Sequence, residues 1–101
     1  MLERLRCGVI YTAAFRDWLG EWRSREASAN FGLVPELTYV RIKEGQRAGH
    51  SWVSLIWRPL QGVKEHEIFQ IGSAKVYMNI QTRRALKERC LDVKDEAVVV
   101  V

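Results

Sequence analysis

Three observations place this chain in the α+β class, with a mostly antiparallel or mixed sheet, one long amphipathic helix near the start and one short helix near the end. An early stretch repeats its apolar residues at the helical period. The middle alternates at period two between turn signals. A brief second helical run precedes a terminal run of valines.

The helix is predicted over Thr12–Ala27, TAAFRDWLGEWRSREA, where Phe15, Trp18, Leu19 and Trp22 fall at i, i+3, i+4 and i+7. That spacing puts the four on one face, with Arg16, Asp17, Glu21, Arg23 and Arg25 around the rest. Thr12 is suited to cap it, offering its hydroxyl to the free amides of the first turn. Gly20 lowers helix propensity by about 1 kcal/mol without breaking the period.

The strands follow. LTYVRIK (Leu37–Lys43) alternates Val40 and Ile42 against Tyr39 and Arg41. WVSLIWR (Trp52–Arg58) sets Val53, Leu55 and Trp57 against Trp52, Ser54 and Ile56. Pro59–Gly62 reads as a turn signal, proline being suited to the second position of a turn and glycine to the fourth. HEIFQI (His66–Ile71) and AKVYMNI (Ala74–Ile80) flank Gly72-Ser73, and glycine first in a two-residue loop is what a type II′ hairpin requires. A short helix over Thr82–Cys90 would turn Ala85, Leu86 and Cys90 inward. AVVVV then forms a last strand, which has to pair within the sheet or across a dimer to avoid a sticky edge.

The 101 residues are expected to form a single domain over 1–101. With 48% hydrophobic and 28% charged residues, the composition is that of an ordinary globular protein. No apolar run approaches the roughly 20 residues that span a bilayer, and MLERLRCGVIYTAAF lacks the apolar core of a signal peptide. A cytoplasmic protein without membrane association is expected. Cys7 and Cys90 form no CxxC and read as small apolar side chains in a reducing compartment. Sixteen basic and twelve acidic residues give a net charge of +4, spread along the chain apart from a cluster at Arg83, Arg84, Lys87 and Arg89.

The order of these segments resembles the HesB/IscA-like, A-type iron–sulfur carrier domains. The similar stretches are GVIYTAAFRDWL (Gly8–Leu19), FGL (Phe31–Leu33), SWVSLIWRP and, above all, IFQIGSAKVYMNIQTRRALKERCLDV (Ile68–Val93). The resemblance implies their small α+β fold. Their chemistry needs one cysteine in the loop after the first long strand and a C-x-C near the C-terminus, because thiolates are the soft ligands of clusters. Here the loop is EGQRAGHSW (Glu44–Trp52) and the end is VKDEAVVVV, neither with a cysteine. The resemblance therefore implies a domain without its cluster ligands, and no cofactor is expected. Cys90 is the one thiol near the terminal site; paired across a dimer it supplies two ligands of the four a cluster takes.

Other chemistry is weakly signalled. EGQRAGHSW is not GxxxxGK[ST] and lies between strands, whereas a phosphate cradle opens a helix, so it reads as a connection. His50 and His66 lack helical ligand spacing, and Ser51 beside His50 points the other way along a strand. Asp92, Asp95 and Glu96 read as solvated charge at a helix exit. No catalytic site is expected and the protein is not expected to be an enzyme. The leading expectation is a binding or scaffolding module for a protein partner or its own copy, with Trp52, Trp57 and Tyr39 as contact residues. The alternative is nucleic-acid or polyanion binding through Arg41, Lys43, Lys75, Arg83, Arg84, Lys87 and Arg89. Iron or cluster binding at a dimer interface through Cys90 is a third reading.

Overall fold

The strands divide into two four-stranded sheets that share one core. The structure, a computed structural model, describes residues 2–26 and 32–101. The elements in chain order are β1 (Leu2–Arg4), β2 (Ile10–Thr12), α1 (Ala13–Glu26), β3 (Leu33–Arg41), β4 (Ser51–Pro59), a 3-10 turn (Glu65–Glu67), β5 (Ile68–Ile71), β6 (Ala74–Tyr77), α2 (Ile80–Leu86), β7 (Cys90–Lys94) and β8 (Ala97–Val100). One sheet runs β1-β2-β7-β8, the other β4-β3-β6-β5. Both are mixed, since β2 pairs parallel with β7 and β3 touches β6 parallel at Glu36–Tyr77, while the remaining pairs are antiparallel. The α+β class, the mixed strand pairing and a long helix followed by a short one are as predicted, but the strands form two sheets where one was expected.

The core takes Leu5, Val9, Tyr11 and Leu91 from the side of the first sheet and Leu37, Val53, Phe69, Ile71 and Val76 from the second, with Phe15 and Leu19 of α1 buried among them. The cap forms as predicted: Phe15 N–H donates to Thr12 Oγ1 at 3.1 Å. The Thr12 hydroxyl donates onward to Asp92 Oδ1 at 2.7 Å, tying the helix start to β7. Residue 27 of the predicted helix, and Phe31 of the FGL stretch, lie outside the described residues.

At Gly20 the helix passes close to the β5–β6 turn: a Cβ there would lie 3.2 Å from Ser73 Oγ. In that turn Gly72 has φ +61° and Ser73 does not share it, which fits the predicted type II′. The turn after β4 is shifted by one residue from its prediction. Val63 N–H donates to Leu60 O at 3.1 Å and Gly62 (φ +85°) takes the third position, because Pro59 stays in the strand opposite Leu33. EGQRAGHSW is a connection: Ile42 N–H donates to His50 O (2.9 Å) and Gly49 N–H to Ile42 O (2.7 Å), and Ser51 and Trp52 already belong to β4.

The C-terminal third differs most. The strand predicted over Ala74–Ile80 stops at Tyr77, because Asn79 caps α2 by accepting from Thr82 N–H at 2.8 Å. Val76 and Met78 are buried, but Ile80 opens the helix and is half-exposed. The helix ends at Leu86, not Cys90. Glu88 adopts φ +64°, and Cys90 begins β7. Asp92 lies in that strand, and Asp95 (φ 52°) and Glu96 (φ 63°) form the β7–β8 hairpin turn instead of a helix exit. The valines pair antiparallel with β7, which covers one edge of β8. Among the described residues no helix is long and apolar enough to cross a membrane.

Candidate functional site

The β3–β4 hairpin positions the contact residues. Partners directly opposite in an antiparallel ladder share a face. Leu37–Leu55, Tyr39–Val53 and Pro35–Trp57 therefore share the face that meets the core, and Val40–Trp52 and Glu36–Ile56 share the other. The predicted alternation of β4 holds. It separates Trp52 from both Tyr39 and Trp57.

The four tryptophans divide accordingly. Trp18 lies 6.2 Å from Phe15, ring to ring, and Trp22 stacks on Trp57 at 5.0 Å and 15°. Among the described residues, the indole N–H groups of Trp18 and Trp57 are buried without an acceptor. Trp52 is 46% exposed. Two positions along the same face Ile56 is 49% exposed, and Leu60 beyond the strand 48%. A row of large apolar side chains thus lies open on an edge strand.

The outer edge of β4 faces the free edge of β8. Two clefts lie along this seam. One, toward α1, is lined by Trp18, Trp22, Trp52, Leu55 and Val98. The other, of about 300 Å³, is lined by Ser51, Trp52, Val53, Arg89 and Val98–Val100. At this second cleft Arg41 stands directly opposite Ser51, with Tyr39 on the diagonal. A hydrogen bond with Ser51 lowers the Tyr39 phenol pKa, helped by the nearby charges of Arg89 and Arg41 and opposed by partial burial. Tyr39 N–H also donates to Thr82 Oγ1 at 3.1 Å, which docks α2 beside β3.

The seven basic residues read from the sequence do not form one patch. Arg41, Lys43 and Arg89 are exposed toward the hairpin end, where Arg47 adds to them. Arg83 is committed to the fold, with Nε donating to Met78 O at 3.1 Å and Nη2 at 3.8 Å from Glu67. Arg84 and Lys87 are exposed, and the Lys87 stem lies against Gly8. Lys75 lines a separate small cleft with Arg6 and Gln70. Tyr77, two residues further along the same strand, is buried under the Arg58 guanidinium at 4.4 Å. Among the described residues Arg4, Arg16, Arg58 and Arg83 are ion-paired, and no carboxylate pairs with Arg41 or Arg89.

The donor set does not fit an iron–sulfur group. Burial and the charge of Asp92 push the Cys90 thiol pKa up, away from the thiolate a cluster needs, and its Sγ–H donates to Leu91 O at 3.7 Å. Among the described residues no group of three His, Cys, Asp or Glu converges. Ser51 and Val98 are the cleft residues that sequence reasoning passed over. Ser51 had a readable signal, since it begins the strand opposite Arg41; nothing in AVVVV announced that its free edge would meet β4.

The fold and site define a small two-sheet α+β domain with an open seam between edge strands. No protein-family model, no curated protein and no solved structure matches this chain.

Proposed function

We propose that this chain is a non-enzymatic binding module that recognises a protein surface, in the first instance a second copy of itself. The observation that supports this is the open row Trp52, Ile56 and Leu60 along β4. Three of the four tryptophans are absorbed by the fold, and exposed aromatics with aliphatic neighbours are favoured anchors of interfaces. β4 has nine residues and β8 four, so the seam leaves the far end of β4 uncovered. An edge strand of this kind can pair with its symmetry mate in a closed two-fold dimer, where the same patch serves both copies.

Acrylamide quenching across a dilution series tests this reading. Trp52 should quench readily in dilute protein and become protected as concentration rises. Quenching that is independent of concentration and unchanged by Trp52→Phe would contradict it.

A second reading, polyanion binding, is favoured by one observation. Arg41, Lys43, Arg47 and Arg89 gather toward the hairpin end, and only Glu44 opposes them in the connection. Its signature is binding to single-stranded oligonucleotide that weakens steeply with salt.

A further inference from the structure

The backbone of β4 divides its polar groups between two edges. Ile42 N–H donates to His50 O at 2.9 Å and Leu60 N–H to Gly32 O at 3.1 Å, whereas Tyr39 N–H turns away from β4 to Thr82 Oγ1 at 3.1 Å. Opposed pairs in an antiparallel ladder alternate between bonded and non-bonded. Trp52, Ser54, Ile56 and Arg58 therefore bond inward to β3, and Ser51, Val53, Leu55 and Trp57 aim their N–H and C=O groups outward. Pro35, which has no N–H to give, falls in a non-bonded pair opposite Trp57, as this alternation requires. β4 is the last strand of its sheet, and among the described residues no strand pairs with its outer edge.

The side chains along that edge have an order of their own. On the open face the sequence runs Trp52, Ser54, Ile56, Arg58 and, just beyond the strand, Leu60. Large apolar residues alternate with polar ones, and the order reads the same in both directions. The three apolar members are the exposed ones noted above.

We infer that a second copy of this chain adds its β4 antiparallel to this edge about a two-fold axis at Ile56, so that the sheet continues from one copy into the other. The inference rests on the self-association reading and adds the axis and the register. Outward groups must meet outward groups, so opposed residues are an even number of positions apart. With the axis at Ile56, that residue meets the partner's Ile56, Trp52 meets the partner's Leu60, and Ser54 meets the partner's Arg58. Leu55 and the partner's Trp57 then exchange both backbone bonds. The neighbouring registers lose these matches. An axis at Leu55 sets Trp52 against the partner's Arg58, and one at Trp57 sets Ile56 against it. An axis at Arg58 opposes two guanidiniums, and like charges directly opposite are destabilising. An axis at Ser54 leaves Leu60 opposite the partner's Ala48, in the connection. The two clefts toward β8 border Ser51 to Leu55, and the axis at Ile56 falls beyond them.

The test is disulfide formation in Ile56→Cys and Ser54→Cys, made singly, with wild type as the control for Cys7 and Cys90. Each is oxidised across a dilution series, and its dimerisation is followed by sedimentation velocity. Residues opposed in a non-bonded pair have Cα atoms about 4.5 Å apart, within disulfide reach. In the same register the two copies of residue 54 are four positions apart along the strands, roughly 14 Å. Ile56→Cys should therefore link to itself at least about tenfold faster than Ser54→Cys. In wild type, hydrogen exchange at the Leu55 and Trp57 amides should slow as the dimer forms.

A dimer in which the two cysteines link at equal rates, or Ser54→Cys links faster, would overturn the register and leave self-association standing. A dimer whose Leu55 and Trp57 amides exchange as in the monomer would overturn strand addition at this edge. Absence of a dimer in wild type would overturn both the inference and the reading it rests on.

Discussion

Arg83 and Arg84 are adjacent arginines on α2 with opposite expected costs of removal. Arg83 Nε donates to the carbonyl of Met78, a residue with no exposed surface, and its Nη2 lies 3.8 Å from Glu67, both side chains being 20% exposed. A hydrogen bond from a charged donor contributes about 1.5–3 kcal/mol. The long ion pair adds at most about 1 kcal/mol, and the Phe69 ring at 6.0 Å lies at the outer limit of cation–π attraction. Arg83→Ala should therefore cost about 2–3 kcal/mol, which for a domain of this size lowers Tm by roughly 10–20 °C. Arg84 is exposed and outside these contacts, so Arg84→Ala should stay within about 0.5 kcal/mol of wild type. Urea melts of both variants at constant m-value provide the comparison. Arg83→Lys sharpens it, since an ammonium keeps the charge but loses the fork, and should recover less than half of the loss. Equal stability of Arg83→Ala and Arg84→Ala would refute the reasoning that only one of the pair is built into the fold.

Gly20→Ala should stabilise by about 0.5–1 kcal/mol, because the helix gains propensity and the Ser73 hydroxyl, exposed and free to rotate, can yield the few tenths of an ångström required. Gly72→Ala should do the reverse by more than about 1 kcal/mol, since φ is +61° and the new Cβ would meet Arg16 Cγ at 2.6 Å; thermal melts of the two variants read both signs. Asp92 accepts hydrogen bonds from Thr12 Oγ1–H and Val93 N–H, which hold its pKa below the usual carboxylate value. Its contribution is therefore fully present above the unfolded value near 3.9 and lost as pH falls through the lower folded value. In Thr12→Val the carboxyl pKa, followed by NMR, should rise, and loss of the cap should cost about 1 kcal/mol at neutral pH.

How far residues announce their place depends on how local its cause is. α1 was legible because Phe15, Trp18, Leu19 and Trp22 repeat over two turns, and the β5–β6 hairpin because Gly72 sits where a positive φ is needed. β1 and β2 have three residues each, too few for a period to show. The β7–β8 turn was hidden because Asp95 and Glu96 take the left-handed conformations that asparagine and glycine usually signal. Asn79 looked like a strand residue until its cap on Thr82 was visible. For the site, alternation correctly placed Trp52 and Trp57 on opposite faces and Tyr39 with Arg41. It could not say which face meets the core, so Tyr39 and Trp57 turned out to be half-buried. Nor could it distinguish Arg83, drawn inward by the Met78 carbonyl five residues earlier, from its exposed neighbour.

Sedimentation velocity across a concentration series is the most direct test of the proposed binding module, with wild type run beside a Trp52→Ser, Ile56→Ser double variant. Wild type should pass reversibly from monomer to dimer. The variant, its far-UV circular dichroism unchanged, should remain monomeric over the same range. Wild type that stays monomeric throughout, or a variant that dimerises equally well, would contradict self-association through the open face of β4.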